Sequence, residues 1–454
     1  MMWSLRPVAE RVGGRLLGAD ALFDAVVTDS RADCTGALFV ALRGERFDGH
    51  DYVAGAQAKG AAAALVDHAL PLDLPQWVVA DTRLALGSLA AAWRARFPGR
   101  VAAVTGSNGK TTVKELLAAI LSQVGPTRAT QGNLNNDIGM PLTLLRARDE
   151  AFLVLEMGAN HPGEIAYMTA IGRPDAALIT NAGRAHLEGF GSLDAVASAK
   201  GEIAQGLPPD GVFVVPGDSP YTPLWQGLAA GRAVLTFALD TPADLWAASS
   251  SIASRWDADG FRTAFAANRG GTLHPLELRL AGVHNVINAL AAAAAALALG
   301  VGVDAVRAGL LALAPVPGRL CPRTGGGRRI IDDTYNANPD SLAAAVAVLT
   351  GLPGRPWLVL GDLGELGPRS LDLHREAGSQ ARAAGVERLF CVGTRSAAAA
   401  DAFGAGARHF ADQAALTAHL RASMTPDTLV LIKGSRAARM ELVLNALCEE
   451  VDSG

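Results

Sequence analysis

The chain has 454 residues, 50% of them hydrophobic and 19% charged, a composition that suits a globular protein of two to four domains. Its 40 basic and 44 acidic residues leave a formal charge of −4, without the clustered basic face that a nucleic-acid partner requires. No charge-free apolar stretch reaches the ~18 residues of a membrane span, and the start MMWSLRPVAERVGG lacks the layout of a signal peptide. The four cysteines (Cys34, Cys321, Cys391 and Cys448) are scattered, which suits reduced core thiols and leads to the expectation of a cytoplasmic enzyme.

Over residues 1–98, short apolar runs (ALFVAL, AAAALVD, QWVVA) between polar loops predict strands. ALGSLAAAWRARFPG predicts a helix, and Pro98-Gly99 closes this first domain. The stretch VAAVTGSNGKTTVKELLAAIL then predicts a strand, a glycine-containing loop and a helix. Loop glycines let backbone N–H groups face phosphate oxygens, and the helix N-terminus adds its dipole. Thr105, Gly106, Ser107, Asn108, Gly109, Lys110, Thr111 and Thr112 are therefore the candidate nucleotide loop. Lys110 is expected at the β- and γ-phosphates and the Thr111 hydroxyl on a magnesium ion. The loop departs from the common G-x-x-x-x-G-K-[ST] form: Val104 stands where the first glycine belongs, and a glycine comes at Gly106 instead.

Farther along, AFLVLEMG, DAALITNAG and GVFVVPG each predict an apolar strand running into glycine and a polar loop. That alternation with helical stretches implies a largely parallel sheet covered by helices. Glu156 ends the first of these strands, at the carboxyl edge where a magnesium ligand belongs. His186 follows the second strand, and Lys200 lies in the amphipathic AVASAKGEIAQGL. Asn285 and Asn288, three apart at the start of an alanine-rich helix, share a face and offer donor and acceptor amides. The prolines of LAPVPGRL close a central domain of residues 99–315. RRIIDDTYN, RPWLVLGDLGELG, ERLFCVG and DTLVLIKGSR then predict a smaller Rossmann-like domain over 316–454, for an α/β fold of three domains.

The pattern T-G-x-N-G-K-[TG]-[ST], displaced glycine included, resembles the loop of the Mur ligase superfamily of ATP-dependent amide-bond-forming enzymes. Further motifs follow in the family's order over essentially the whole chain. A lone histidine or lysine is usually structural or solvated; the resemblance instead implies that His186 is a second metal ligand and that Lys200 is carbamylated. It also implies two Mg²⁺ ions, Asn285 and Asn288 at the adenine edge, Arg319 toward the γ-phosphate, Asp333 toward ribose, and Asn336 at ATP. In the N-terminal domain, VVTDSRADCTGALFVALRGERFDGHDYVAGAQAKGA resembles a uridine-binding domain, with Asp29, Ser30 and Arg31 as its contacts; Asn135, Asn136 and Asn160 are further substrate-site candidates.

Folylpolyglutamate synthetases in this superfamily lack such an N-terminal domain. The D-N-P-R motif of the diaminopimelate-adding branch is absent, whereas VLGDLGELG, IDDTYNANPDS and QGNLNNDIGMPLTLL resemble the branch that adds a terminal dipeptide. The resemblance thus implies ligation of D-alanyl-D-alanine to UDP-N-acetylmuramoyl-tripeptide through an acyl-phosphate, by a chain expected to act as a monomer. A third-residue ligase of other specificity is the alternative. A P-loop switch or UDP-binding regulator without chemistry would leave Glu156, His186 and Lys200 without a role.

Overall fold

The computed structural model describes residues 3–183, 190–325, 328–364 and 366–448. Three main sheets follow one another along the chain. In the first, strands Arg15–Leu17, Gln76–Val78, Ala63–Val66, Ala37–Val40 and Ala25–Val27 lie side by side, all parallel except the first pair. Ala37–Val40 and Ala63–Val66 are buried along their whole length, so they read as continuous apolar runs. Helix Thr82–Arg94 leads out of this domain; Asp81 caps it by accepting from the N–H groups of Arg83 and Leu84.

The central sheet has ten strands among the described residues. Its parallel part runs Thr127–Ala129, Phe152–Glu156, Arg100–Thr105, Ala176–Ile179, Val212–Pro216, Ala233–Leu239 and Leu245–Ala247. Antiparallel strands Ala253–Asp257, Gly260–Arg269 and Thr272–Leu278 extend one edge. Helix Lys110–Leu121 follows the phosphate-loop strand, and helix Val283–Ala298 packs beside it in the same apolar cluster. Alanine suits that second helix twice, through high helix propensity and a side chain small enough for close packing on both helix and sheet. No helix of the described residues is long and apolar enough to cross a membrane.

In the third sheet the order is Cys321–Gly325, Arg328–Asp333, Thr428–Lys433, Arg355–Leu360, Arg388–Val392 and Ala407–Phe410. Only the first pair is antiparallel. The α/β character expected from the alternating pattern holds in all three sheets. Cys34, Cys321 and Cys391 are buried free thiols, and burial pushes the Cys391 thiol far above its ordinary pKa.

Helix Val303–Ala312 crosses helix Lys110–Leu121 so closely that a Cβ at Gly309 would lie 2.3 Å from Ile120 Cα. Gly309→Ala should therefore destabilise the protein by about 1–3 kcal/mol, despite alanine's better helix propensity. A lower midpoint of urea unfolding with unchanged slope checks this.

Candidate active site

Parallel register places three strand ends at one edge. Glu156 pairs with Val104 and Ile179 with Thr105, so the phosphate loop leaves the sheet between the Glu156 loop and the Thr180 loop. The second of these braces it. Ser107 N–H donates to Asn181 O (3.1 Å), Asn108 N–H to Asn181 Oδ1 (3.0 Å), and the Thr180 hydroxyl to Asn108 O (2.7 Å). Gly109 sits at φ +81°, and a Cβ there would come within 2.4 Å of Asn288 Oδ1. Both conformation and contact thus require glycine before Lys110. Lys110 Nζ curls over its own loop, donating to Gly106 O (2.7 Å) and Ser107 O (3.2 Å). Thr105 is buried, and its hydroxyl donates to Met157 O (2.8 Å), which makes it a support of the loop more than a ligand.

A cavity of about 870 Å³ opens over this edge, walled by all three domains. The N-terminal domain supplies Arg83, whose guanidinium pairs with Asp137. The central domain supplies Ser107 to Thr112, Asn135, Asn136, Glu156, Asn160, Asn285 and Asn288. Arg319, Asp333, Asn336, Asn338, Lys433 and Arg436 line it from the C-terminal domain.

Glu156 is only 2% exposed; its Oε1 accepts from Asn135 Nδ2 (2.8 Å), while its Oε2 is buried without a donor among the described residues. Such an orphaned carboxylate oxygen fits a hard divalent cation. Asn136 turns its Oδ1 to the N–H groups of Ile138 and Gly139 and so starts the following helix. The Asn160 N–H is held by Glu164 (2.7 Å), which leaves its side chain at the cavity. Asn288 donates to Asn285 Oδ1 (3.1 Å) and Asn285 to Ala281 O (2.8 Å), so the pair first orders the helix start.

Lys200 is 1% exposed, and its Nζ has no hydrogen-bond partner among the described residues; the Phe190 ring lies 5.4 Å from it. Burial, with a smaller push from the Lys110 ammonium, lowers its pKa from 10.5 to about 7. It is not among the residues that line the cavity. His186 lies outside the described residues.

The C-terminal domain reaches across to the phosphate loop. An Arg319 Nη donates to the Thr111 hydroxyl (3.1 Å), its guanidinium stacked 4.3 Å over the Tyr335 ring. Asn338 Nδ2 donates to Asn108 Oδ1 (2.8 Å) while its own Oδ1 caps helix Pro339–Gly351. Asp333 faces the cavity but is already engaged: Lys433 Nζ lies 2.5 Å from its Oδ2, and Leu320 N–H donates to Oδ1 (3.2 Å). Burial raises its pKa against the opposing pull of that ammonium. Lys433 also donates to Asn336 O (2.9 Å), fixing the loop that carries Asn336.

Asp29, Ser30 and Arg31 are not among the residues that wall the cavity. They follow strand Ala25–Val27, and Arg31 closes an exposed ion pair with Asp29 (2.8 Å), which with the local hydrogen bonds lowers the Asp29 pKa to about 2. Sequence reasoning missed Lys433, Asn338, Arg83 and His284. The N-P-D-S spacing of a capping box was a legible signal for Asn338. His284 was visible only as part of its asparagine motif; burial, with the nearby Lys433 charge, lowers its pKa to about 4 and keeps it a neutral imidazole.

Comparison with known proteins bears on this geometry. Residues 23–94 match the model described as Mur ligase family, catalytic domain; 104–296 match the Mur ligase middle domain, and 318–436 match the Mur ligase, glutamate ligase domain. The chain is 47% identical over 450 residues to the UDP-N-acetylmuramoyl-tripeptide–D-alanyl-D-alanine ligase of Escherichia coli K12, covering 98% of each chain. It superposes on a MurF crystal structure from Acinetobacter baumannii with TM-score 0.93, at 36% identity and 99% coverage of both chains. A MurF ligase from Thermotoga maritima solved with ADP matches with TM-score 0.85 and 30% identity, over 94% of this chain and 98% of that one. With three successive domain matches and near-complete alignment to such relatives, the chain belongs to the Mur ligase family.

Proposed function

We propose that the chain is an ATP-dependent ligase that joins D-alanyl-D-alanine to the terminal carboxylate of UDP-N-acetylmuramoyl-tripeptide, yielding the pentapeptide, ADP and phosphate. The observation that carries this reading is one cavity in which a phosphate loop, a buried carboxylate with an orphaned oxygen and a C-terminal arginine converge. Near-complete alignment to relatives named for this reaction supports it. We assign residues 1–98 to the uridine diphosphate moiety, 99–315 to ATP, and 316–454 to closure over the nucleotide and receipt of the amine substrate. We read the chain as a monomer working in the cytoplasm.

A carboxylate is a poor acyl electrophile. Its oxygen would attack the γ-phosphorus of ATP, the bond to the β-phosphate oxygen would break, and ADP would leave. The amine nitrogen of the dipeptide would then add to the acyl carbon, and phosphate would depart as the C–O bond breaks. Lys110 holds an ammonium at the β- and γ-phosphate end of the loop, and Arg319 brings a planar guanidinium to the same place from the opposite domain. The Thr111 hydroxyl and the Glu156 carboxylate would hold magnesium, with His186 as the family's further ligand. When bound, the metal neutralises clustered phosphate oxygens. Asn285 and Asn288 border the nucleotide end, and Asp333 and Asn336 are held by Lys433 where a ribose would lie. Closure of the three domains excludes water from the acyl-phosphate.

Lys200 is read as a carbamate. A buried amine with a pKa of about 7 is substantially neutral at physiological pH. The lone pair of the neutral amine can form a bond to the carbon of CO₂ as one proton leaves to water, giving an anion in the neighbourhood of the Lys110 ammonium.

Purified protein should form product with D-alanyl-D-alanine and none with single amino acids; product from a single amino acid alone would move it to the third-residue branch. Lys110→Ala should lose nearly all turnover, on the order of 10³-fold, while its melting temperature stays near that of the parent. With ¹³C-bicarbonate, a carbamate resonance absent from Lys200→Ala should be present at pH 8 and fade as pH falls through about 7, because the amine becomes ammonium below its pKa. A spectrum without that resonance at pH 8 would refute the modification.

A further inference from the structure

The strand that ends in Glu156 loses one of its two neighbours just before the end. Pairing with strand Thr127–Ala129 stops at Val154, opposite Ala129, and from Thr130 the chain turns away. Two ladder groups are thereby deprived of main-chain partners, the Glu156 N–H and the Thr130 carbonyl, and both are replaced by buried side chains. Thr130 Oγ1 accepts from the Glu156 N–H at 3.0 Å, while Thr130 N–H still reaches Val154 O at 3.0 Å. Lys114 Nζ donates to the Thr130 carbonyl at 2.7 Å and to Glu115 Oε1 at 2.5 Å.

Lys114 and Thr130 are each 1% exposed. Burying an ammonium is costly, and these two acceptors are what offset it. Lys114 lies four residues after Lys110, so it stands one turn further along the helix that the phosphate loop starts. The segment it grips continues into Asn135, whose Nδ2 donates to Glu156 Oε1 and whose carbonyl accepts from Gly158 N–H (2.8 Å each). A buried chain of hydrogen bonds therefore runs from the phosphate-loop helix through Lys114 and Thr130 to the backbone of Glu156, and the segment after Thr130 separately brings Asn135 to the Glu156 carboxylate.

We propose that Thr130 and Lys114 are positioning residues that set where the Glu156 carboxylate stands relative to the phosphate loop. This rests on the reading of Glu156 as a cation ligand. Neither side chain is among those lining the cavity, so they act through Glu156. A carboxylate held at a fixed spacing from Thr111 completes a cation site with less reorganisation, and loss of such outer partners characteristically weakens metal affinity 10- to 100-fold.

The test uses the full chain and reads ADP binding by calorimetry across a Mg²⁺ series, together with the Mg²⁺ concentration for half-maximal turnover. Thr130→Val keeps the shape and removes the acceptor; it should raise the Mg²⁺ requirement about tenfold in both measurements, with the KM for the muramyl tripeptide unchanged. Thr130→Ser, which keeps the hydroxyl, should restore the parent value. An unchanged Mg²⁺ requirement in Thr130→Val overturns the proposal, as does a change that Thr130→Ser fails to reverse. Where Thr130→Val does not fold, Lys114→Met takes its place in both measurements: a raised Mg²⁺ requirement supports the positioning role, and an unchanged one overturns it. Glu156→Gln separates the premise from the inference. Unaltered Mg²⁺ dependence in that variant refutes Glu156 as the ligand, whereas loss there with none in the Thr130 variant refutes only the positioning role.

Discussion

The arrangement of this site depends on the register of three parallel strands. Arg100–Thr105 lies between Phe152–Glu156 and Ala176–Ile179, and all three end at the same edge. A parallel sheet turns every loop that follows its strands to one side, so chemistry dispersed over some eighty residues of chain meets there without long reaches by any side chain. The phosphate loop, the Glu156 carboxylate and the bracing Thr180–Asn181 pair owe their proximity to that alignment. Slippage by one residue would exchange the side chains packed on the two buried faces of a whole strand, which close packing disfavours.

Arg319 and Asn338, from the C-terminal domain, hydrogen-bond Thr111 and Asn108 of the phosphate loop directly. The Arg319 guanidinium is held between the Tyr335 ring and the Thr111 hydroxyl, so its orientation is fixed by two contacts. Lys433 contributes at one remove, holding both Asp333 and the Asn336 carbonyl on the facing wall.

Two buried side chains carry polar groups in a state that folding alone would disfavour. Glu156 Oε2 and Lys200 Nζ have no hydrogen-bond partner among the described residues, and each lies in a buried side chain. An uncompensated buried polar group costs roughly 1–3 kcal/mol, and more for a charge. Elsewhere the protein is closely packed, as the contact of Gly309 with Ile120 illustrates.

Features that depend on short stretches of chain were determined by the sequence alone. Apolar strands running into glycine specified the parallel sheets; T-G-S-N-G-K-T-T specified a tight loop between strand and helix; and the apolar run before Glu156 placed that residue at a strand end. Partnership was decided only by tertiary structure. Asp333 and Lys433 are 100 residues apart, Arg319 and Thr111 208, and Asn338 and Asn108 230, so no local period joins them. The same holds for Lys200, which reads as an ordinary helix lysine until packing removes its water and lowers its pKa. Backbone conformation follows from neighbouring residues, whereas burial and charge pairing follow from whichever distant segments the core brings together.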